Sequence, residues 1–286
     1  MADQGLAGSG ALKGIGLERV VPGETDRTLY LEHLGRYEFA CRFVEGMRVL
    51  DVACGVGYGA PVLSKAGARS YLGIDVSTEA LRLAESRYRI SESVSFASGD
   101  ACDLDGIEHG AFEVVVSFET IEHLENPERF LTRVREVLAP GGRFIVSTPN
   151  RTVYDPLHVV SSKPTNPFHV REWTVDEFVQ LLEHFFLVDE VLGQGPCPDW
   201  KLVGRRLVAG CRPLRPVANI YRAVRSLGAT AHSIFGAAAT LPVEHLRPRH
   251  RPTYVVCVCT APLRPGARTS LLAPKSPSRA RGCAAV

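Results

Sequence analysis

The stretch LDVACGVGYG, Leu50 to Gly59, limits what this chain can fold into more than any other. Met47 to Val52 is apolar and β-branched enough for an inner strand, and Gly55, Gly57 and Gly59 follow at alternate positions. Such a strand running into a glycine turn and then a helix lets the backbone approach a ligand closely. The helix N-terminus adds unsatisfied N–H groups and positive dipole potential for an anionic or carboxylate-bearing cofactor. Several nucleotide-like cofactors use this arrangement, so the rest of the chain must choose among them.

Downstream, strands and helices alternate. Ser70 to Asp75 predicts a second strand ending in a carboxylate 18 residues after Gly57, where an acid can accept hydrogen bonds from ribose hydroxyls. Ser77 caps a helix, Val94 to Ala97 is a third strand, and Asp100 follows at its carboxyl end. Phe112 to Phe118 is a fourth strand, Pro127 to Leu138 a helix, and Arg143 to Thr148 a fifth strand after the Ala139-Pro140-Gly141-Gly142 turn. This alternation predicts an α/β fold with a parallel, doubly wound, Rossmann-like sheet and all these strand ends on one rim.

Before the first strand, Thr25 to Val44 has helical spacing, and Tyr30, His33, Arg36 and Tyr37 give it a polar-aromatic side that would close over a cofactor in the glycine turn. Past Pro149 the regularity loosens. Residues 150–172 read as an irregular active-site loop, Thr174 caps a further helix, and Phe186 to Leu192 and Thr253 to Thr260 are the closing strands. Four regions result: a loose N-terminus (1–24), a main domain (25–194 plus 253–261), an insertion (195–252) with helical patterning in Pro216 to Leu227, and a disordered tail (262–286).

With 33 Lys and Arg against 31 Asp and Glu, no general polyanion-binding bias follows from the charge balance, although arginines crowd between Arg205 and Arg251. None of the eight cysteines forms a C-x-x-C pair, which predicts reduced thiols rather than a disulfide framework or a zinc site. The N-terminus lacks a signal-peptide pattern, and no apolar run reaches the length of a membrane span. These features predict a cytoplasmic protein. The apolar Ala229 to Leu241 segment offers either a homodimer contact or a peripheral membrane contact.

DVACGVGYG, GID at Asp75, GDA at Gly99 to Ala101, FETIEH after the fourth strand and LAPGGRFIVSTPN around the fifth together resemble the class I S-adenosylmethionine-dependent methyltransferases. That resemblance implies a seven-stranded sheet with a helical insertion before the last strand, and S-adenosyl-L-methionine as cofactor. It places Gly55 and Gly57, with Ala53 between the strand and the turn, around the methionine moiety. Asp51 supports the turn and the amino group, Tyr37 closes the site, and Asp75 with Val76 holds the ribose. Asp100 and Ala101 meet the adenine, and Phe118 and Glu119 pass beneath the sulfonium.

In FETIEH, Glu119, Glu122 and His123 are spaced i, i+3 and i+4, which on a helical turn would aim all three one way. Two carboxylates and an imidazole so gathered call for a positive charge between them, and a divalent cation would serve. His169, in NPFHVREWT, belongs to the loop expected over the same rim. The pattern E-x-x-E-H with a later histidine resembles the small-RNA 3′-terminal 2′-O-methyltransferases, in which the four residues hold a metal on a ribose diol. E-x-x-E-H also occurs in ubiquinone-pathway O-methyltransferases. The donor set Glu119, Glu122, His123 and His169 suits Mg²⁺, Mn²⁺ or Fe²⁺.

The resulting expectation is an O-methyltransferase acting on a hydroxyl of a sugar- or nucleoside-type small molecule in glycan or natural-product biosynthesis. The metal would chelate a substrate diol, the 195–252 insertion would act as a lid, and Glu119, Glu122, His123 and His169 would be the catalytic residues. The alternatives are RNA 3′-terminal 2′-O-methylation, a metal-independent enzyme with His123 or His169 as base, and a non-catalytic binding protein. The nearly neutral charge and the lack of a basic-aromatic platform argue against a nucleic-acid partner.

Overall fold

The computed structural model describes residues 19–154, 164, 166–198, 241–246 and 250–263. The helical patterning of Pro216 to Leu227, most of Ala229 to Leu241 and the tail beyond 263 lie outside the described residues. The strands are β1 (Arg48–Val52), β2 (Ser70–Asp75), β3 (Val94–Ser98), β4 (Phe112–Phe118), β5 (Leu138–Pro149), β6 (Leu187–Pro198), β7 (Glu244–His245) and β8 (His250–Thr260). They form one sheet in the order β3-β2-β1-β4-β5-β8-β6-β7. The first five are parallel, and β8 runs antiparallel to both β5 and β6.

Alternation along the strands builds two cores, one on each face of the sheet. Leu50, Val52, Val115, Phe144, Val146, Val255 and Cys257 point to one face. There they meet Phe130 and Val134 of α4 (Pro127–Val137) and Phe178 and Leu182 of α6 (Val175–Glu183). Val49, Val114, Val116, Ile145, Val256 and Val258 point to the other. They pack under Tyr37 and Ala40 of α1 (Arg27–Ala40), Leu63 of α2 (Gly59–Lys65) and Ala80 of α3 (Thr78–Tyr88). Each large apolar side chain fully buried this way stabilises the fold by about 1.5–3 kcal/mol. Side chains set the helix starts: Asp26 accepts from the Thr28 and Leu29 amides, Ser77 from Ala80, and Asn126 from Arg129. Thr174 and Glu177 form a reciprocal capping box.

Several expectations need correcting. The sheet has eight strands rather than seven, because Glu244–His245 adds a short edge strand to β6. Residues 195–198 and 250–252 are not helical insertion but extensions of β6 and β8, which stay paired as far as Pro198 and His250. The glycines and prolines of this stretch hide the strand in the sequence; past Gly193, where the β7 pairing stops, β6 is an edge among the described residues, and an edge tolerates proline. Within the stretch expected to be loose, Val20 and Val21 are buried, and the Val21 amide donates to Thr25 Oγ1 at 2.7 Å. α1 stops at Ala40 and passes into a 3-10 turn at Cys41–Phe43. A short helix, α5 (Arg151–Tyr154), follows β5. The cysteines at 54, 102, 257 and 259 are free thiols. Among the described residues no helix is long and apolar enough to cross a membrane.

Candidate active site

The turn after β1 is left-handed at Ala53 (φ 63°), Gly55 (φ 58°) and Gly57 (φ 80°). At Gly57 a Cβ would come within 2.7 Å of Ala84 Cβ and of Phe96 Cε1, so the turn admits no side chain there. Asp51, at the end of β1, is buried. Its Oδ2 accepts from the Tyr37 hydroxyl at 2.9 Å and the Tyr71 hydroxyl at 2.7 Å, while Oδ1 is buried without a partner. Burial pushes its pKa up to about 7, against the two tyrosine hydrogen bonds, which pull it down. Tyr37 packs its ring on Gly59 and meets Phe118 edge-on at 5.1 Å and Tyr58 at 5.5 Å, so α1 closes over the glycine turn.

Asp75, at the end of β2, accepts the Gly55 amide on Oδ2 at 2.9 Å and the Ser77 amide on Oδ1 at 2.8 Å. Arg19 Nη2 also pairs with Oδ1, at 3.1 Å. The acid therefore ties β2 to the glycine turn, and Arg19 holds one of the acceptor positions a ribose would use. Val76 is 64% exposed beside it. Asp100 is exposed and accepts the Cys102 amide at 2.7 Å, while Ala101 and Phe118 are buried.

Glu119 departs from the expected arrangement. It has φ 51° and precedes a three-residue 3-10 turn, Ile121–His123, so the three FETIEH side chains do not share one helical turn. Its Oε1 accepts from Ser147 Oγ at 2.6 Å and lies 4.0 Å from Arg36 Nη2. The group that converges is Glu122, His123 and His169, each offering a ligand atom within 4.8 Å of the others. The loop carrying His169 is docked by the Val170 and Arg171 amides, which donate to the Glu122 carbonyl at 2.8 and 3.2 Å. His169 Nδ1 lies 2.6 Å from Glu172 Oε1, and His123 Nδ1 lies 3.0 Å from the Phe168 carbonyl. With Nδ1 so held, Nε2 is the nitrogen each ring would give a cation. Glu122 is buried; Thr148 Oγ1 donates to its Oε2 at 3.1 Å, and Oε1 is buried without a partner. Burial, then the nearby Glu119 carboxylate, raises the Glu122 pKa well above the usual carboxylate range.

An orphaned buried carboxylate oxygen beside two imidazoles is a donor set that a divalent cation would fit. Two imidazoles and one carboxylate with open positions suit Mn²⁺ or Fe²⁺ better than Mg²⁺, which prefers all-oxygen surroundings. The glycine turn likewise fits the methionine end of S-adenosylmethionine, with left-handed backbone, a buried acid and an aromatic cover. The sequence reading missed Arg19, Ser147, Thr148 and Glu172 as site residues. Only Glu172 left a signal, three residues after His169; the others depend on strand pairing and chain packing.

Comparison with known proteins bears on the domain and its fold. Residues 50–146 match the methyltransferase domain family. A "Probable S-adenosylmethionine-dependent methyltransferase" of Mycolicibacterium smegmatis is 34% identical over 178 residues, 62% of this chain and 66% of that protein. A ubiquinone biosynthesis O-methyltransferase of Rhizobium etli is 35% identical over 124 residues, covering 43% of this chain and 49% of that one. The matched regions thus span about two thirds and about half of these relatives. Among solved structures, a Haloferax volcanii chain from a complex with the Trm112 methyltransferase activator superposes with TM-score 0.55 at 20% identity, over 84% of this chain and 93% of that one. Residues 50–146 are a methyltransferase domain, and the doubly wound sheet that carries them has the fold of the class I S-adenosylmethionine-dependent methyltransferases.

Proposed function

We propose that this protein is an S-adenosylmethionine-dependent O-methyltransferase whose acceptor is a hydroxyl on a sugar- or nucleoside-type small molecule, with a divalent cation at Glu122, His123 and His169 holding a substrate diol. The observation that carries this reading is the convergence of those three side chains, Glu122 Oε1 buried and unpartnered, on the rim immediately after β4. The resemblance to ubiquinone-pathway enzymes supports oxygen as the atom methylated.

Methyl transfer from a sulfonium is an in-line displacement, so the protein's main task is alignment and exclusion of water; well-oriented reactants gain roughly 7–11 kcal/mol. The glycine turn and Asp51 hold the methionine end, and Asp75 orients the ribose once Arg19 yields the acceptor position on Oδ1. Tyr37, Tyr58 and Phe118 exclude water above the turn. Ser147 and Arg36 hold the Glu119 carboxylate beside this path and away from the cation ligands. Glu172 fixes the His169 ring, and the Phe168 carbonyl fixes His123. Glu122, His123 and His169 would hold the cation, which would supply Lewis acidity that lowers the pKa of an acceptor hydroxyl.

The test is mass spectrometry for the gain of one methyl across nucleosides, nucleotide sugars and glycosides, with chelated and metal-restored protein. Methylation of a diol-bearing acceptor that is lost on chelation and regained with Mn²⁺ or Fe²⁺ supports the reading. Full activity after chelation refutes the cation and leaves His123 as the base; no methylated product anywhere refutes the activity on this class.

A further inference from the structure

Methyl transfer to a hydroxyl releases a proton, and the groups nearest the acceptor path are engaged elsewhere: Glu122, His123 and His169 as the converging donor set, and Glu119 with Ser147 and Arg36. The helix over the glycine turn carries a further imidazole. His33 lies one helical turn before Arg36 in α1, so the two share a face. On that face Arg36 Nη2 stands 4.0 Å from Glu119 Oε1, just before the turn that carries Glu122 and His123. Half-buried, His33 places Nδ1 3.1 Å from the Tyr58 hydroxyl. Tyr58 is itself buried in the glycine turn, its ring met edge-on by Tyr30 at 5.7 Å and by Tyr37 at 5.5 Å. Nε2 of His33 has no hydrogen-bond partner among the described residues.

A ring tied at one nitrogen and open at the other is placed to take a proton. With Nδ1–H given to the Tyr58 oxygen, the Nε2 lone pair is open, and the imidazolium formed at Nε2 still donates from Nδ1. The charged groups around the pair are Arg36 on α1, Asp51 at the end of β1 and Glu119 after β4. Burial, then the Arg36 charge, pushes the His33 pKa well below the usual imidazole range. The ring therefore meets an acceptor neutral, and Arg36 drives an acquired proton off to solvent afterwards. We propose that His33 is the general base of the methyl transfer: its Nε2 takes the acceptor hydroxyl's proton as the oxygen bonds to the methyl carbon and the sulfonium–methyl bond breaks, its electron pair staying on sulfur. The products are the methyl ether, the thioether S-adenosylhomocysteine and an imidazolium held at Nδ1 by Tyr58.

This role rests on the O-methyltransferase reading, and the test on the full chain separates the two. The probe acceptor is the member of the nucleoside, nucleotide-sugar and glycoside panel that the wild-type protein methylates fastest. His33→Gln is expected to lower turnover on it by roughly 100-fold, with S-adenosylhomocysteine affinity by calorimetry within about threefold of wild type. His33→Ala is expected to regain roughly tenfold of its lost turnover when imidazole is added to the solution, because a free imidazole can stand in for the missing base. Turnover of His33→Gln within about threefold of wild type overturns the proposal. So does a loss of S-adenosylhomocysteine affinity as large as the loss of turnover, which marks a packing or cofactor role, and so does a His33→Ala variant indifferent to imidazole. Wild-type protein that methylates the probe while both variants keep pace overturns the His33 role alone; wild-type protein that binds S-adenosylhomocysteine but methylates nothing in the panel overturns the acceptor reading and this role with it.

Discussion

The two halves of the rim are built differently. Over β1, β2 and β4 the site is mostly backbone and short-range: a left-handed glycine turn, acids at the ends of two strands, and tyrosines packed on them. Over β4 and β5 it is side chains gathered from afar, with Glu122 and His123 from one turn, Thr148 from β5, and His169 and Glu172 from a loop more than 40 positions along the chain. The first half can be complete before any acceptor arrives, whereas the second depends on the loop staying docked on the Glu122 carbonyl. The contrast suggests that cofactor binding and acceptor activation can be broken separately.

The largest effect is expected from the acceptor half. His169→Ala or Glu122→Ala should lower turnover by roughly 100-fold or more while S-adenosylhomocysteine affinity stays within about twofold; a comparable loss of both, by calorimetry and product assay, would erase the distinction. Glu172→Gln, which keeps the shape but not the charge behind His169, should weaken Mn²⁺ binding by roughly 10–100-fold, read by metal titration. Unchanged Mn²⁺ affinity would remove His169 from the ligand set.

Asp51 sharpens the other side of the comparison. Its folded pKa of about 7 lies above the unfolded carboxylate range, so the native state holds an extra proton between roughly pH 4 and 7. Its stabilising contribution to the ligand-free protein is full below that window and is lost as pH rises through about 7. Glu122 slopes the same way, so Asp51→Asn should flatten the fall in melting temperature across this range without abolishing it. The cofactor's ammonium needs the ionised acid, so S-adenosylhomocysteine affinity should drop by up to about tenfold per unit below pH 7. An affinity that is flat from pH 6 to 8 would take Asp51 out of ammonium binding. The smallest effect is expected at Arg19, part-exposed and paired with Asp75. Arg19→Ala should tighten S-adenosylhomocysteine binding about two- to fivefold by freeing the acceptor on Oδ1, and weaker binding would make Arg19 a cofactor ligand instead.

The same division decides what could be read from the sequence. β4 was legible to the residue, and the Ser77 and Thr174 caps were legible, because each is written in contiguous residues. The glycine turn and Asp75 were legible for the same reason. The extension of β6 to Pro198 was not, since glycines and prolines mask a strand held by its partner β8. Glu119 was assigned to the cation cluster from spacing that assumes a helix. The chain instead turns left-handed at Glu119, and Ser147 and Arg36, from β5 and α1, take its carboxylate. No periodicity encodes such a partnership across the sheet.

One titration bears on the central division most directly: S-adenosylhomocysteine into the full-length protein by calorimetry, before and after divalent cations are removed by chelation. The expected result is a single site of the same affinity in both states, with methyl transfer lost only in the second. Loss of S-adenosylhomocysteine binding on chelation, or no binding in either state, would contradict a cofactor half that is complete without its neighbour.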